Sequence, residues 1–256
     1  MFHNKNIEHY PQNLPPEKTV VIDYHDNPHW LFTADYSPFG IKCFAYFKRS
    51  WVDMVDEGSY TTRRHHLWPS NFHPLTFAIM DEFIVKEDLK RDVILSCTLR
   101  AELRQRNVNR VNVLNLLSEM DIQGNIQIGR YNRGSIKGFD DKNMRDYWRL
   151  LKRSQIVVTC NPGKWEGDHR TWEAFANGAF VFIDRIWTPL RHPFVDGKHC
   201  IFYDTSDKGL RELKEKIFWY LEMPREVARI AKEGHEFAMK YHRTSNRINE
   251  ILEVIT

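Results

Sequence analysis

The sequence predicts an α/β fold: a doubly wound parallel sheet over residues 91–256, preceded by a reduced α/β unit over residues 1–90. Three observations predict it. Five short apolar runs, at 93–97, 125–128, 156–160, 179–183 and 200–203, alternate with stretches of helical periodicity, the pattern of successive βαβ units. Residues 155–185 read in one sweep as strand, loop, helix, strand. A charged stretch at 85–92 separates this regular part from 1–90, where only 19–24 and 41–47 read as clear strands.

Residues 1–18 carry Pro11, Pro15 and Pro16 and read as an extended arm. The strand at 19–24 ends in Asp23-Tyr24-His25-Asp26-Asn27-Pro28-His29, which is rich in groups able to take a proton and is also a strong turn signal. Residues 31–40, with Asp35, Pro38 and Gly40, read as a loop. Lys48 and Arg49 follow the strand at 41–47; they suit a phosphate or acidic acceptor, or at least one is solvated surface. Residues 58–74 form an aromatic, histidine-rich loop suited to acceptor contacts. Its His65 and His66 point different ways and no carboxylate falls at ligand spacing, so a metal is not expected there. Residues 75–84 read as strand or short helix.

In the second region Val108, Val111, Leu114, Leu117 and Met120 recur at helical spacing, as do Met144, Tyr147, Trp148 and Leu151 behind a cap at Asp140 or Asp141. The strand at 156–160 is stopped by Asn161-Pro162-Gly163. Asp168 suits the N-cap of a helix running to Asn177, and Gly178 sits where a helix end favours positive φ. Amphipathic helices at 210–221 and 225–241, separated by Pro224, close the region, and a last helix at 245–254 packs back across the chain.

The start of the 168–177 helix carries the chemistry. Arg170 lies in the first turn, where the macrodipole disfavours a cation by a few tenths of a kcal/mol. A bound anion reverses that penalty, because free N–H groups and a guanidinium fork both suit phosphate. Glu173, three residues on, shares the face and can accept hydrogen bonds from a diol such as ribose. Together they read as a grip on a nucleoside diphosphate; the alternative is a surface ion pair worth under ~1 kcal/mol. Ligands of open α/β sheets sit at the carboxyl ends of strands. That rule adds Arg100 or Arg104 to the diphosphate and places Asp23, His25 and Asp26 where a general base can stand.

The string Asp168-His169-Arg170-Thr171-Trp172-Glu173-Ala174-Phe175-Ala176-Asn177-Gly178, running into the apolar 179–183, resembles the donor-binding segment of GT-B glycosyltransferases, nearest their exostosin-like and group-1-like branches. The resemblance continues through Phe194-Val195-Asp196-Gly197-Lys198-His199, Ala231-Lys232-Glu233-Gly234 and Tyr241-His242-Arg243-Thr244-Ser245, strongest over 155–255 and weakest over 1–90. Many such enzymes carry two glutamates around this helix; Glu166 and Glu173 stand one residue closer than that pair, so only Glu173 is carried over. The resemblance implies a Rossmann-like donor half at 91–256 and a reduced acceptor half at 1–90. It implies transfer of a sugar from a nucleoside-diphosphate sugar, UDP being the commonest, to a glycan or other hydroxyl acceptor. Arg170 and Arg100 would serve the diphosphate, Glu173 the ribose, and Arg130 and Tyr131 the nucleobase, with Asp168 also part of the donor site. The base would be Asp23, then His25, then Asp35. No cofactor or metal is expected, and inversion is favoured.

Composition narrows the field. Hydrophobic residues make up 42% and charged residues 28%, as in a soluble globular chain. A net charge of +3, with Lys and Arg scattered, argues against nucleic acid as partner, although Arg63-Arg64 and Lys48-Arg49 keep that rival in view. No run is long and apolar enough to span a membrane, and the first residues lack a signal-peptide core. Cys43, Cys97, Cys160 and Cys200 lie apart in apolar contexts, as buried free thiols of a reducing, cytoplasmic protein. Gly-x-Gly-x-x-Gly, Walker and Gly-x-Ser-x-Gly patterns are absent, which argues against an NAD site, a phosphate loop and a serine hydrolase. The second rival is a non-catalytic nucleotide-sugar or glycan binding module on the same fold.

Overall fold

The computed structural model describes residues 15–24, 42–51, 70–99, 108–130, 141–162 and 166–256. They contain two parallel sheets. The first joins β1 (Val20–Asp23), β2 (Ala45–Arg49) and β3 (Phe72–Leu75) in that order. The second holds β4 (Val93–Leu99), β5 (Ile126–Arg130), β6 (Ser154–Val158), β7 (Phe180–Asp184) and β8 (Ile201–Tyr203), in the order β5-β4-β6-β7-β8. All five strands expected in the second region are present, and every pairing is parallel.

Helices cover both faces of the larger sheet, so it is doubly wound as expected. These are α1 (Val108–Ser118), α2 (Asp141–Arg153), α3 (His169–Ala176), α4 (Asp207–Leu221) and α5 (Pro224–Tyr241). Alternation along the strands sorts the side chains. Leu95, Cys97, Leu99, Ile156, Val158, Phe180 and Phe182 pack with Leu117 of α1 and Leu213 of α4. Val157, Val181 and Ile183 pack on the other face with Leu151 of α2 and Trp172 and Phe175 of α3. Strands buried on both faces show in sequence as continuous apolar runs. Each fully buried ring such as Phe180 or Phe182 contributes roughly 1.5–3 kcal/mol. Pro224 opens α5 at a position where its missing N–H costs nothing. Gly178 ends α3 at φ 67°, as the helix end requires.

One expectation is corrected. Residues 72–74, read as the end of an acceptor loop, form β3 together with Leu75. It lies at the sheet edge, where Pro74 removes no needed ladder donor. Residues 76–84 hold only a 3₁₀ turn, Asp81–Phe83, and an isolated bridge from Ile79 to Arg243. The last helix, α6 (Thr244–Ile255), returns to the first sheet as expected: Ile251 and Ile255 pack on Ala45, Phe47 and Leu75.

Candidate active site

The chain leaves β4 outward to β5, then returns past β4 to β6. The carboxyl ends of β4 and β6 therefore flank a topological switch point, where open α/β sheets bind ligands. The connection from β6 to α3 emerges there, and it is fixed at each step. The Thr159 carbonyl accepts from the Tyr203 hydroxyl at 2.6 Å, and Thr171 Oγ1 donates to Thr159 Oγ1 at 3.0 Å. The Cys160 carbonyl accepts from Arg110 Nε at 2.8 Å. Asn161 donates its backbone N–H, at 2.9 Å, and its amide, at 3.0 Å, to Asp184 Oδ1. Burial pushes the Asp184 carboxyl up to about 7 in spite of those bonds.

Asp168 takes the expected N-cap position, with φ −71° and ψ 157°, but its side chain caps no helix N–H. Its Oδ2 instead accepts from Arg110 Nη2 at 2.7 Å and from Arg170 Nη1 at 3.0 Å. Burial alone would raise this carboxyl; the Arg170 and Arg110 guanidinia outweigh that and hold it below its ordinary value. The chain thus supplies one anion to offset Arg170. Glu173 adds a second carboxylate whose charge acts on Arg170, and the positive end of the helix dipole lies at the same place. The Arg170 side chain keeps 18% of its surface exposed, against 5% for Arg110, so Arg170 is the cation that faces outward. Glu173 lies one turn on and is buried, so the surface-pair alternative is corrected. Its Oε1 accepts from Trp148 Nε1 at 3.1 Å, and burial pushes its carboxyl up to about 6.

The first sheet presents a second charged group. Asp23 ends β1 as expected, but it is fully buried: the Tyr46 hydroxyl donates to its Oδ2 at 2.6 Å, and Lys48 Nζ lies 3.6 Å from the same oxygen. The solvated reading of Lys48 and Arg49 is corrected as well. Both are buried, because their counter-ions are buried with them. Burial lowers the Lys48 ammonium to about 8 despite Asp23 beside it.

The counter-ion of Arg49 is Glu166, whose Oε1 lies 3.4 Å from Arg49 Nη1. Its Oε2 accepts from the Ser50 N–H at 3.0 Å and from Ser50 Oγ at 3.1 Å. Sequence reasoning set Glu166 aside for its spacing; the signal that could have kept it was its place in Glu166-Gly167-Asp168, immediately ahead of α3. Arg110 was missed because it sits among the apolar positions of α1. His25, Asp35, Arg100 and Tyr131 lie outside the described residues, as do His65 and His66. Arg130 closes β5, and its side chain also lies outside them. Among the described residues no group of three or more His, Cys, Asp or Glu is placed to hold a metal ion. All four cysteines are buried and free. Among the described residues no helix is long and apolar enough to cross a membrane.

No curated protein matches the chain. The structure of TarM is similar with a TM-score of 0.57 at 14% identity, covering 93% of this chain and 50% of TarM. An S. aureus TarM mutant in complex with fondaparinux, alpha-GlcNAc-glycerol and UDP gives 0.56 at 14% identity over the same shares, 93% and 50%. Anabaena HepE in complex with UDP-glucose gives 0.53 at 10% identity, covering 75% of this chain and 59% of HepE. The chain spans about half the length of TarM and less than two thirds of HepE. The likeness is one of fold, the GT-B arrangement expected from the sequence. The family model described as glycosyl transferase-like matches residues 102–253, more than half of the chain, and the chain belongs to that family.

Proposed function

We propose that the chain transfers a sugar from a nucleoside-diphosphate sugar, with uridine the first candidate base, to a hydroxyl of a glycan or other acceptor. The observation that carries this reading is Arg170 at the start of α3, with 18% of its side chain exposed beside Asp168 at the switch point of a parallel sheet. The UDP complexes of TarM and HepE support the choice of nucleotide.

Arg170 and the first N–H groups of α3 would meet the diphosphate and stabilise the charge that grows on it as the glycosidic bond breaks. Arg100 joins them as a proposal from the sequence. Glu173, held by Trp148, would orient the ribose through its hydroxyls. Arg130 and Tyr131 remain the proposed neighbours of the nucleobase. Protein cations suffice for the departing diphosphate in this scheme, so the transfer is proposed to be metal-independent, with inversion at the anomeric carbon. Asp23 is engaged by Lys48 and Tyr46, which shifts the proposed base toward His25 and Asp35. The same enclosure of Asp23 favours, as second reading, a module that binds the donor without turning it over.

Release of UDP from a panel of UDP-sugars, offered with glycan acceptors, tests the two readings. Turnover lost in Arg170→Ala and kept in Asp23→Asn supports the scheme. Donor binding with no turnover against any acceptor supports the binding module.

A further inference from the structure

We infer that Glu166 is a positioning residue: it bolts the end of β2 to the turn that starts α3, so that the seating of the first sheet sets the orientation of Asp168 and Arg170. The inference deepens the donor-site reading and rests on it where nucleotide binding is concerned.

Four observations converge. Glu166 is fully buried; Ser50 hydrogen-bonds its Oε2, and its Oε1 lies 3.4 Å from Arg49 Nη1 as an ion pair without a hydrogen bond. Ser50 has φ 56°, the one non-glycine residue at positive φ among the described residues. A serine held in that region is strained and persists only where its surroundings fix it. Here the carboxylate that fixes it takes both its N–H and its hydroxyl.

On the other side, Glu166 is separated from Asp168 by Gly167 alone. Gly167 has φ 98°, and a Cβ there would lie 3.3 Å from Trp172 Nε1. The turn thus leaves no room for a side chain beside Trp172, and with one residue between them a shift at Glu166 is passed to the carboxylate that holds Arg110 and Arg170. Two further ties brace the same segment of the first sheet. Thr188 Oγ1, in the loop after β7, donates to the Trp51 carbonyl at 2.9 Å. The Arg49 guanidinium lies over the Phe77 ring, 4.1 Å from its centroid. Those ties hold the sheets together without Glu166, so its loss should loosen the turn rather than unfold the protein.

Hydrogen exchange and UDP binding on the full chain test the inference together. Removing the bolt in Glu166→Ala should speed amide exchange at least tenfold at Ser50 and also at Thr171, whose N–H is bonded to the Asp168 carbonyl at 2.9 Å. UDP affinity should fall about tenfold, since a cation displaced from a charge-assisted hydrogen bond loses roughly that much. Ser50→Ala, which touches neither Asp168 nor Arg170, should lower UDP affinity in the same sense. Glu166→Gln, which keeps an acceptor for the Ser50 N–H, should recover most of it. The double variant should bind UDP no more weakly than Glu166→Ala.

Unchanged exchange at Thr171 in a folded Glu166→Ala protein overturns the inference, whatever the nucleotide result. Altered affinity for UDP-glucose with unaltered affinity for UDP also overturns it, because Glu166 would then touch the sugar. If Glu166→Ala fails to fold, Ser50→Ala and Glu166→Gln decide by the same two readouts. If the wild type binds no UDP, the donor reading fails alone, and exchange at Ser50 and Thr171 still decides the bolt.

Discussion

The end of the first sheet and the start of α3 both gather buried charge, but they dispose of it differently. At the first sheet, Asp23, Lys48, Arg49 and Glu166 neutralise one another and are all buried. At α3, one carboxylate holds two guanidinia, and one of these, Arg170, keeps part of its surface toward solvent. The first arrangement pairs each cation with a buried carboxylate. The second sets Arg110 and Arg170 against Asp168 and Glu173 and leaves Arg170 partly exposed at a helix start, on the positive end of the dipole. Both clusters bury charge, so burial alone does not tell them apart; the exposure of Arg170 does.

The contrast can be broken most severely at Asp168. Asp168→Ala leaves two guanidinia packed together without their anion, and loss of one partner from a buried pair costs roughly 3–5 kcal/mol. Urea unfolding should show it, and a variant as stable as wild type would mean that Arg110 and Arg170 find other partners. Gly167→Ala should cost about 1–3 kcal/mol, since an alanine at φ 98° is strained and its Cβ presses on Trp172. A wild-type midpoint for that variant would show that the turn is soft.

The pH dependence separates Glu166 from Asp168 by sign. Burial pushes the Glu166 carboxyl, which faces Arg49, Lys48 and Ser50, from 4.5 up to about 7. Within that window the folded protein holds a proton that the unfolded chain releases. The Glu166 contribution to stability is therefore full below the unfolded value and falls as pH rises through the window. Asp168 runs the other way. Its carboxyl is held below the ordinary 3.8, so its contribution is present above that value and is lost as pH falls. Unfolding midpoints from mildly acidic to neutral pH should slope less in Glu166→Gln than in wild type, with Glu173 and Asp184 keeping part of the slope. An identical slope would show that Glu166 is ionised throughout. At the small end, Arg229→Ala breaks pairs with Glu226 and Glu233 that are open to solvent, and the midpoint should not move measurably.

What was legible in the sequence follows from the same physics. The second sheet was readable strand by strand, because strands covered on both faces are written as unbroken apolar runs, as in Phe180–Asp184. Pro224 and Gly178 marked helix boundaries for backbone reasons that need no tertiary partner. β3 was not readable: it is four residues long and contains His73 and Pro74, tolerated only because it is an edge. At the site, Arg170 and Glu173 were found from helical spacing and the dipole. Glu166, Arg110 and the burial of Lys48 were not, because each depends on a partner distant in sequence. Ser50 and Glu166 are 116 positions apart, and no local pattern joins them.

The most direct measurement is a thermal-shift panel of UDP, GDP, ADP, CMP and UDP-sugars on the wild type and on Arg170→Ala. A ligand at a hundred times its dissociation constant adds about 2.7 kcal/mol of stability. If the start of α3 grips a nucleoside diphosphate, one base should give a clear shift, the shift should vanish in Arg170→Ala, and the unliganded midpoints should stay close. A shift of equal size in Arg170→Ala, or none with any nucleotide in the wild type, would contradict the assignment of the donor site.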